Sequence, residues 1–452
     1  MMTTDTICAL ATASGGALGI IRVSGPQAFA VAGAVCRIDC AGVAANTVHY
    51  AHVTNAGGET IDEVMVSVFR APHSYTGEDA VEISCHGSRY ILNKVLELLV
   101  QNGCRMANPG EYTQRAYLNG KMDLSQAEAV ADLIASTNRA THQVAMSQLK
   151  GRFSSELKKL RDQLLQLTSL LELELDFSDH EDLEFADRTA LFTLANKIDA
   201  RITQLADSFE TGQALRNGIP VAIVGKTNVG KSTLLNRLLG DDRAIVSAVH
   251  GTTRDTIEDT IDIDGIQFRF IDTAGIRQTS DEVEQIGIER TIQKIKEARI
   301  VLWLVDCWTA DGEHTEIEQQ VKGKTTICVH TKMDLADAPH PASFGTRLLP
   351  ISAKTGEGID SLKAHILEKA RLAGLTGNEV IVTNARHYDA LRRAHAGIQR
   401  VIAGLSPSAP LPSDLLAEDL RQTLDILAEI TGGQITPQET LNNIFSHFCV
   451  GK

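Results

Sequence analysis

Gly225-Lys-Thr-Asn-Val-Gly-Lys-Ser232 is the stretch that leaves this chain the fewest folds. It follows the apolar run Ile219-Pro-Val-Ala-Ile-Val224 and precedes Thr233-Leu-Leu-Asn-Arg-Leu-Leu239, which reads as a helix. A strand, a glycine-bearing turn and a helix in that order make a cradle for a polyphosphate. Backbone N–H groups and the positive end of the helix face the phosphates. Lys231 can reach the β- and γ-phosphates, and Ser232 can ligate Mg²⁺. Asn228, Val229 and Gly230 complete the turn, and Thr233 continues the first helical residues.

Four further motifs follow in order and select the base. Gly251-Thr-Thr-Arg-Asp255 offers Thr253 as a second Mg²⁺ ligand. Asp272-Thr273-Ala274-Gly275 ends a strand-like run; Asp272 can hold Mg²⁺ through water, and the Gly275 N–H can sense a γ-phosphate. Thr331-Lys332-Met-Asp334 follows another apolar run, and Asp334 can accept both hydrogens on the guanine edge, which adenine does not present. Ser352-Ala353-Lys354 can support the guanine oxygen by a backbone N–H. Together the motifs predict a GTP site.

Two positions depart from the usual pattern of such domains. Thr331 stands where Asn is usual and cannot present the same amide, so weaker nucleotide affinity is expected while Asp334 keeps the preference for guanine. Ile276 stands where many GTPases place a water-orienting Gln. The hydrolytic group is therefore sought in the next loop, among Asp281, Glu282 and Glu284; Arg254 and Arg277 lie in the two neighbouring segments. The side-chain oxygen of Asn228 can help bind a monovalent cation beside the β- and γ-phosphates, where positive charge stabilises the transition state.

Around this module the hydrophobic period changes. Residues 1–119 alternate short strand-like runs (18–23, 63–69, 80–84) with turns, and a helix is expected at about 89–102. From about residue 120 the pattern becomes helical. Ser125-Gln-Ala-Glu128 reads as a capping box, and Leu157, Leu160, Leu164, Leu167 and Leu171 form one apolar stripe. A second stripe runs through Leu191, Leu194, Ile198, Ile202 and Leu205. Strand-like runs at 219–224, 266–271, 300–305, 325–330 and 347–351, separated by helical or loop segments, predict a mostly parallel sheet over 218–378. Helical pattern returns over 379–452, with Leu416, Leu420, Leu424, Leu427 and Ile430 before Gly432-Gly433, and a last helix is expected from Thr436-Pro-Gln-Glu439. The returning helices are too short for a comfortable core of their own, so they are expected to pack on the tract at 120–217. The expected architecture is multidomain α/β plus all-α, with a Ras-like P-loop domain inserted into a helical domain.

Composition narrows the function classes. With 57 Asp+Glu against 43 Lys+Arg, the formal net charge of −14 argues against a general nucleic-acid coat, although not against a local basic patch. Aromatics at 4% argue against base-stacking platforms as the main device. Eight cysteines in 452 residues are too sparse for a disulfide scaffold, and Cys36 and Cys40 have no second pair to complete a zinc set. Cys85 and His86 are strand neighbours that point to opposite faces. No apolar run approaches the roughly 18–20 residues of a spanning helix. No positive charge precedes Arg22, so no secretory signal is read. A cytoplasmic protein with reduced thiols is expected.

These motifs, with Gly19-Ile-Ile-Arg-Val-Ser-Gly25, Thr76-Gly-Glu-Asp79, Asn119-Gly-Lys-Met-Asp-Leu-Ser-Gln-Ala-Glu128, Asp281-Glu-Val-Glu-Gln-Ile-Gly-Ile-Glu-Arg290 and Phe448-Cys-Val-Gly-Lys452, make the whole chain resemble the MnmE (TrmE) family of bacterial tRNA modification GTPases. Val450 replaces the Ile usual in the closing motif. The resemblance implies a potassium-stimulated GTPase whose nucleotide domains pair across their switch faces. Asn228, Ser247, Val249 and Thr252 would hold K⁺, and Ser232 and Thr253 would hold Mg²⁺. Glu284 would orient the attacking water. The N-terminal domain would mediate homodimerisation and bind 5-formyltetrahydrofolate or a related tetrahydrofolate, with Arg22, Glu82, Lys121 and Lys452 as ligands. Cys449 lies near that site in the resemblance; it can serve as a thiol nucleophile or as a small packing residue. The implied partner, MnmG, carries FAD, and the two form a heterotetramer or larger complex that modifies carbon five of the wobble uridine of certain tRNAs. The alternative is a regulatory or ribosome-assembly GTPase switch without folate chemistry.

Overall fold

Along β4 (Thr60–Phe69), Asp62, Val64, Val66 and Val68 are buried while Glu63 and Met65 face outward. Period-2 alternation of this kind makes one face of a strand core and leaves the other wet. In the computed structural model β4 lies in a sheet ordered β3-β4-β5-β2-β1-β6. Its other strands are β1 (Thr6–Leu10), β2 (Leu18–Ser24), β3 (Thr47–Thr54), β5 (Ala80–His86) and β6 (Cys104–Met106). All neighbours are antiparallel except β1 and β6. Helices α1 (Ala28–Cys36) and α2 (Arg89–Gln101) cover one face, where Ile21, Val66, Ile83, Val95 and Leu99 share a core. The structure describes residues 5–176 save 14 and 56, 188–242 save 227, 259–271, 293–306 save 294, 314–335, 348–370, 380–406, 411–433 and 438–451 save 447.

An ionic network centred on buried Arg115 and Glu111 fastens α3 (Glu111–Leu118) to this sheet. Arg115 is 2% exposed, and its guanidinium meets Asp5 at 2.8 Å, Glu111 at 3.0 Å and Glu78 at 3.3 Å. Arg105 binds Glu111 at 2.6 Å and Asp5 at 2.8 Å. Burial acts to raise the Glu111 carboxyl, but hydrogen bonds from Arg105, the Asn108 N–H and Arg115 outweigh it and hold it below the usual glutamate value.

The helical tracts before and after the second sheet follow. They are α4 (Leu124–Ala135), α5 (Arg139–Leu149), α6 (Arg152–Asp176), α7 (Arg188–Asn217), α11 (Ala385–Leu405), α12 (Ser413–Thr431) and α13 (Gln438–Ser446). The capping box of α4 sits two residues earlier than the sequence suggested. The Asp123 carboxylate accepts from the Gln126 N–H at 2.9 Å, and the Gln126 side chain accepts from the Asp123 N–H at 3.0 Å. Asp and Ser are comparable N-caps, and Asp123 is the one that starts the helix early enough to bury Leu124. The stripe Leu157–Leu171 on α6 is buried, and α6 packs against α12, whose Leu416, Leu420, Leu427 and Ile430 are buried. Gly432 closes α12 in the left-handed conformation at φ 75. The expected start of α13 at Thr436 lies outside the described residues.

Residues 1–135, 145–203 and 389–452 form one compact unit; 136–144 and 204–388 form a second. The division falls inside α5, α7 and α11. In the second unit the sheet runs β12-β11-β10-β7-β9-β8, comprising β7 (Ile219–Val224), β8 (Asp259–Ile263), β9 (Ile266–Phe270), β10 (Ile300–Val305), β11 (Thr325–His330) and β12 (Leu349–Pro350). Only the β8–β9 pair is antiparallel. Among the described residues its helices include α8 (Lys231–Asp242), α9 (His314–Val321) and α10 (Ile359–Ala370). Every residue of β10 is buried because both faces are covered. Ile300, Leu302 and Leu304 face one core; Val301, Trp303 and Val305 face the other.

Removing one member of a buried ion network leaves an unpaired charge and costs about 3–5 kcal/mol. Arg115→Met should lower the unfolding free energy of the first unit by about that much in urea titrations. The Glu111 value is lower in the fold than in the unfolded chain, so its contribution is present above its ordinary value of 4.5 and is lost as pH falls through the folded value. Glu111→Gln should flatten the acid limb of the stability–pH curve.

Candidate functional site

The turn between β7 and α8 is shaped by backbone that only glycine fits. Gly225 has φ 148, and a Cβ there would lie 2.5 Å from the Leu304 carbonyl oxygen of β10. Gly230, at φ 103, gives the chain its entry into α8. Val229 is fully buried and pins the turn to the sheet, while Asn228 stands at φ 61 with an exposed side chain. The Lys231 ammonium lies 2.6 Å from the Gly225 and Lys226 carbonyl oxygens, at the mouth of the turn. Ser232 and Thr233 follow on the first turn of α8.

The base-selecting motifs meet this turn at the carboxyl ends of β10, β11 and β12. Thr331 is buried, and its hydroxyl donates to the Val229 carbonyl at 2.7 Å. Lys332 stands at φ 61, and its ammonium pairs with Asp306 at 2.8 Å. Asp334 is exposed, and the Ser352 hydroxyl donates to its Oδ1 at 2.8 Å. That bond, the backbone at Asp334 and nearby Lys354 hold the carboxyl below the usual aspartate value. It is therefore an acceptor-only carboxylate at neutral pH. The Ser352 N–H is spent on the Glu357 carbonyl at 2.9 Å. Ser247, Val249, Thr252, Thr253, Asp272, Thr273, Ala274, Gly275 and Glu284 lie outside the described residues.

A second cluster lies on the N-terminal sheet. Arg22 and Glu82 are register partners on β2 and β5, and the Arg22 Nη2 is 2.7 Å from Glu82 Oε1. The guanidinium lies 5.3 Å from the Tyr75 ring centre and 5.5 Å from that of Tyr112. Its Nη1 donates to the Gly451 carbonyl at 3.3 Å. Gly451 is buried at φ 95, and a Cβ there would collide with the Leu10 carbonyl. The Cys449 carbonyl accepts from the Gly110 N–H at 3.3 Å, and Cys449 itself is exposed. The segment 449–451 is thus laid along the end of β1. Lys121 reaches the same Pro72–Tyr75 loop by donating to the Pro72 carbonyl at 2.8 Å. Lys452 lies outside the described residues.

Sequence reading passed over Asp306, Tyr75, Tyr112 and Gly451. Asp306 had a signal, since it ends the apolar run of β10 at the edge where the other motifs cluster. Tyr75 and Tyr112 had none, because their relation to Arg22 is made only by the fold.

Two family models match the chain: one described as the MnmE helical domain over residues 124–449, and one described as the GTP-binding protein TrmE N-terminus over residues 6–121. The G domain of the T. maritima FeoB iron transporter, a solved structure, is 23% identical and covers 34% of this chain and 99% of that chain, with a TM-score of 0.26. The tRNA modification GTPase MnmE of Bacteroides thetaiotaomicron is 52% identical over 470 residues, covering 100% of both chains. That of Flavobacterium johnsoniae is 49% identical over 471 residues with the same coverage. Matched along its length by these models and relatives, the chain belongs to the MnmE (TrmE) family.

Proposed function

We propose that the chain hydrolyses GTP as the nucleotide-driven component of a tRNA wobble-uridine modification system. The observation that carries this reading is the meeting of the Gly225–Ser232 turn with the Asp334–Ser352 pair at one edge of a parallel sheet. The relatives named tRNA modification GTPase support the biological setting. The four segments 1–119, 120–217, 218–378 and 379–452 serve as folate-binding and dimerising domain, first helical part, nucleotide domain and second helical part.

The donor sets suit the groups this reading requires. A hydroxyl on the first turn of α8 is an oxygen ligand of the kind Mg²⁺ takes, so Ser232 holds it together with Thr253. The exposed amide of Asn228 likewise supplies a hard oxygen for K⁺, joined by Ser247, Val249 and Thr252. These ions supply positive charge beside the phosphates. Lys231 neutralises the phosphates, Asp334 fixes the guanine, and Glu284 orients the attacking water and thereby sets its line of approach.

At the second cluster, Glu82 offers a carboxylate for the amidine-like edge of a pterin, and Tyr75 and Tyr112 offer ring faces to a flat ligand. Arg22, Lys121 and Lys452 supply charge for its carboxylates. A bound tetrahydrofolate, 5-formyl or related, supplies the one-carbon unit. Cys449, exposed and with its carbonyl accepting from the Gly110 N–H, would offer a thiol to the transfer chemistry. The outward face of the same sheet exposes Val48, Tyr50 and Met65, apolar side chains suited to burial against a second copy. The organic partner reaction belongs to a FAD-bearing MnmG. Among the described residues no helix is long and apolar enough to cross a membrane.

The overall reading is tested by mass analysis of wobble uridine in tRNA from a deletion strain carrying this chain; tRNA left unmodified would overturn it. Lys231→Ala should lower GTP turnover at least about 100-fold. Replacing K⁺ by Na⁺ should slow the native chain about tenfold or more, and Asn228→Ala should erase that difference. Gly451→Ala should weaken binding of a reduced folate about tenfold by shifting the 449–451 segment, with GTP turnover nearly unchanged.

A further inference from the structure

Thr331 sits where the base-binding and phosphate-binding ends of the nucleotide site join. It directly follows β11 and is 2% exposed. Its N–H donates to the Val305 carbonyl at 2.9 Å. Its hydroxyl oxygen lies 2.7 Å from the Val229 carbonyl oxygen in the phosphate turn and 3.3 Å from the Val305 carbonyl oxygen. A threonine hydroxyl carries a single proton, and carbonyl oxygens only accept. That proton is therefore spent inside the protein, and the methyl branch has no polar atom to offer.

Guanine shows two acceptors, N7 and O6, on one edge. Its N1–H and 2-amino hydrogens are donors on another. Asp334, exposed and held as a carboxylate, suits the donors. The N–H groups of Ala353 and Lys354 suit O6, since the Ser352 N–H is already engaged. Among these loops Thr331 presents no donor for N7. An asparagine amide differs, because its two hydrogens can serve a loop carbonyl and a base together.

We propose that, within the GTP site assigned above, Thr331 is a latch between the two loops and not a reader of the base, so that guanine is recognised through N1–H, the 2-amino group and O6 while N7 goes unread. Thr331 is thus a positioning residue: it holds the Val229 carbonyl, and with it the phosphate turn, against the end of β11.

The test is calorimetric titration of the full chain with GDP, 7-deaza-GDP and IDP. The native chain should bind 7-deaza-GDP within about twofold of GDP and IDP about tenfold more weakly, since IDP leaves a charge-assisted bond to Asp334 unmade. Thr331→Asn should open a gap of about fivefold or more between GDP and 7-deaza-GDP by supplying the missing donor. Thr331→Val should weaken both nucleotides equally, and Thr331→Ser should restore both. A native preference for GDP over 7-deaza-GDP of about fivefold would overturn the latch and leave the GTP reading intact. Unchanged affinities in Thr331→Val would do the same. Failure of GDP itself to bind would remove the GTP reading and the latch with it.

Discussion

The passage of Gly225 beneath the Leu304 carbonyl governs the nucleotide end of this chain. At 2.5 Å from that oxygen a Cβ has no place, so the backbone can lie against β10 only because the residue is glycine. The close approach fixes where the turn leaves the sheet. Val229 then sinks into the core beside Leu234 and Leu304, and its outward carbonyl becomes a fixed point for Thr331. Lys332 is set by Asp306, and Asp334 by Ser352. The last two contacts join the carboxyl ends of neighbouring parallel strands, and Thr331 reaches past β10 to the turn after β7, so phosphate and base recognition share one edge, as ligand sites in open α/β sheets do.

The N-terminal sheet solves a different problem. The charged side chains on and around it fall into two sets. Asp5, Glu78, Arg105, Glu111 and Arg115 are drawn together and hold α3 in place. Arg22 and Glu82 remain partly exposed, at 17% and 27%, and bordered by aromatic rings. The first set is spent on structure. The second is the one flanked by the Tyr75 and Tyr112 rings and by the Gly451 carbonyl.

Much of this was legible in the sequence because it was local. β7, β10 and β11 are apolar runs of strand length that need no context, and the Gly225–Ser232 turn carries its own geometry. The leucine stripe of α6 and the glycine stop of α12 are also local signals. Strands that depend on partners were harder to read. β6 is three residues long, β3 places histidines among its apolar residues, and β8 is five residues long with only two apolar positions. The α4 cap was misread because a serine pattern masked the aspartate two residues upstream. In the site, residue types at motif positions were readable, but what they touch was not. Thr331 read as a missing amide; its bond to Val229 spans 102 positions and exists only once β7 and β11 are in one sheet.

The contact between Arg22 and Gly451 joins positions 429 apart in the chain. A ribosome adding about 5–20 residues per second needs roughly 20–90 s to span that interval. Throughout that time the nascent N-terminal sheet can form its own core while the Leu10 end of β1 waits for the segment that will lie on it. The cluster around Arg22 is therefore incomplete in partly made chains, and it closes only in molecules whose last helices have already been synthesised.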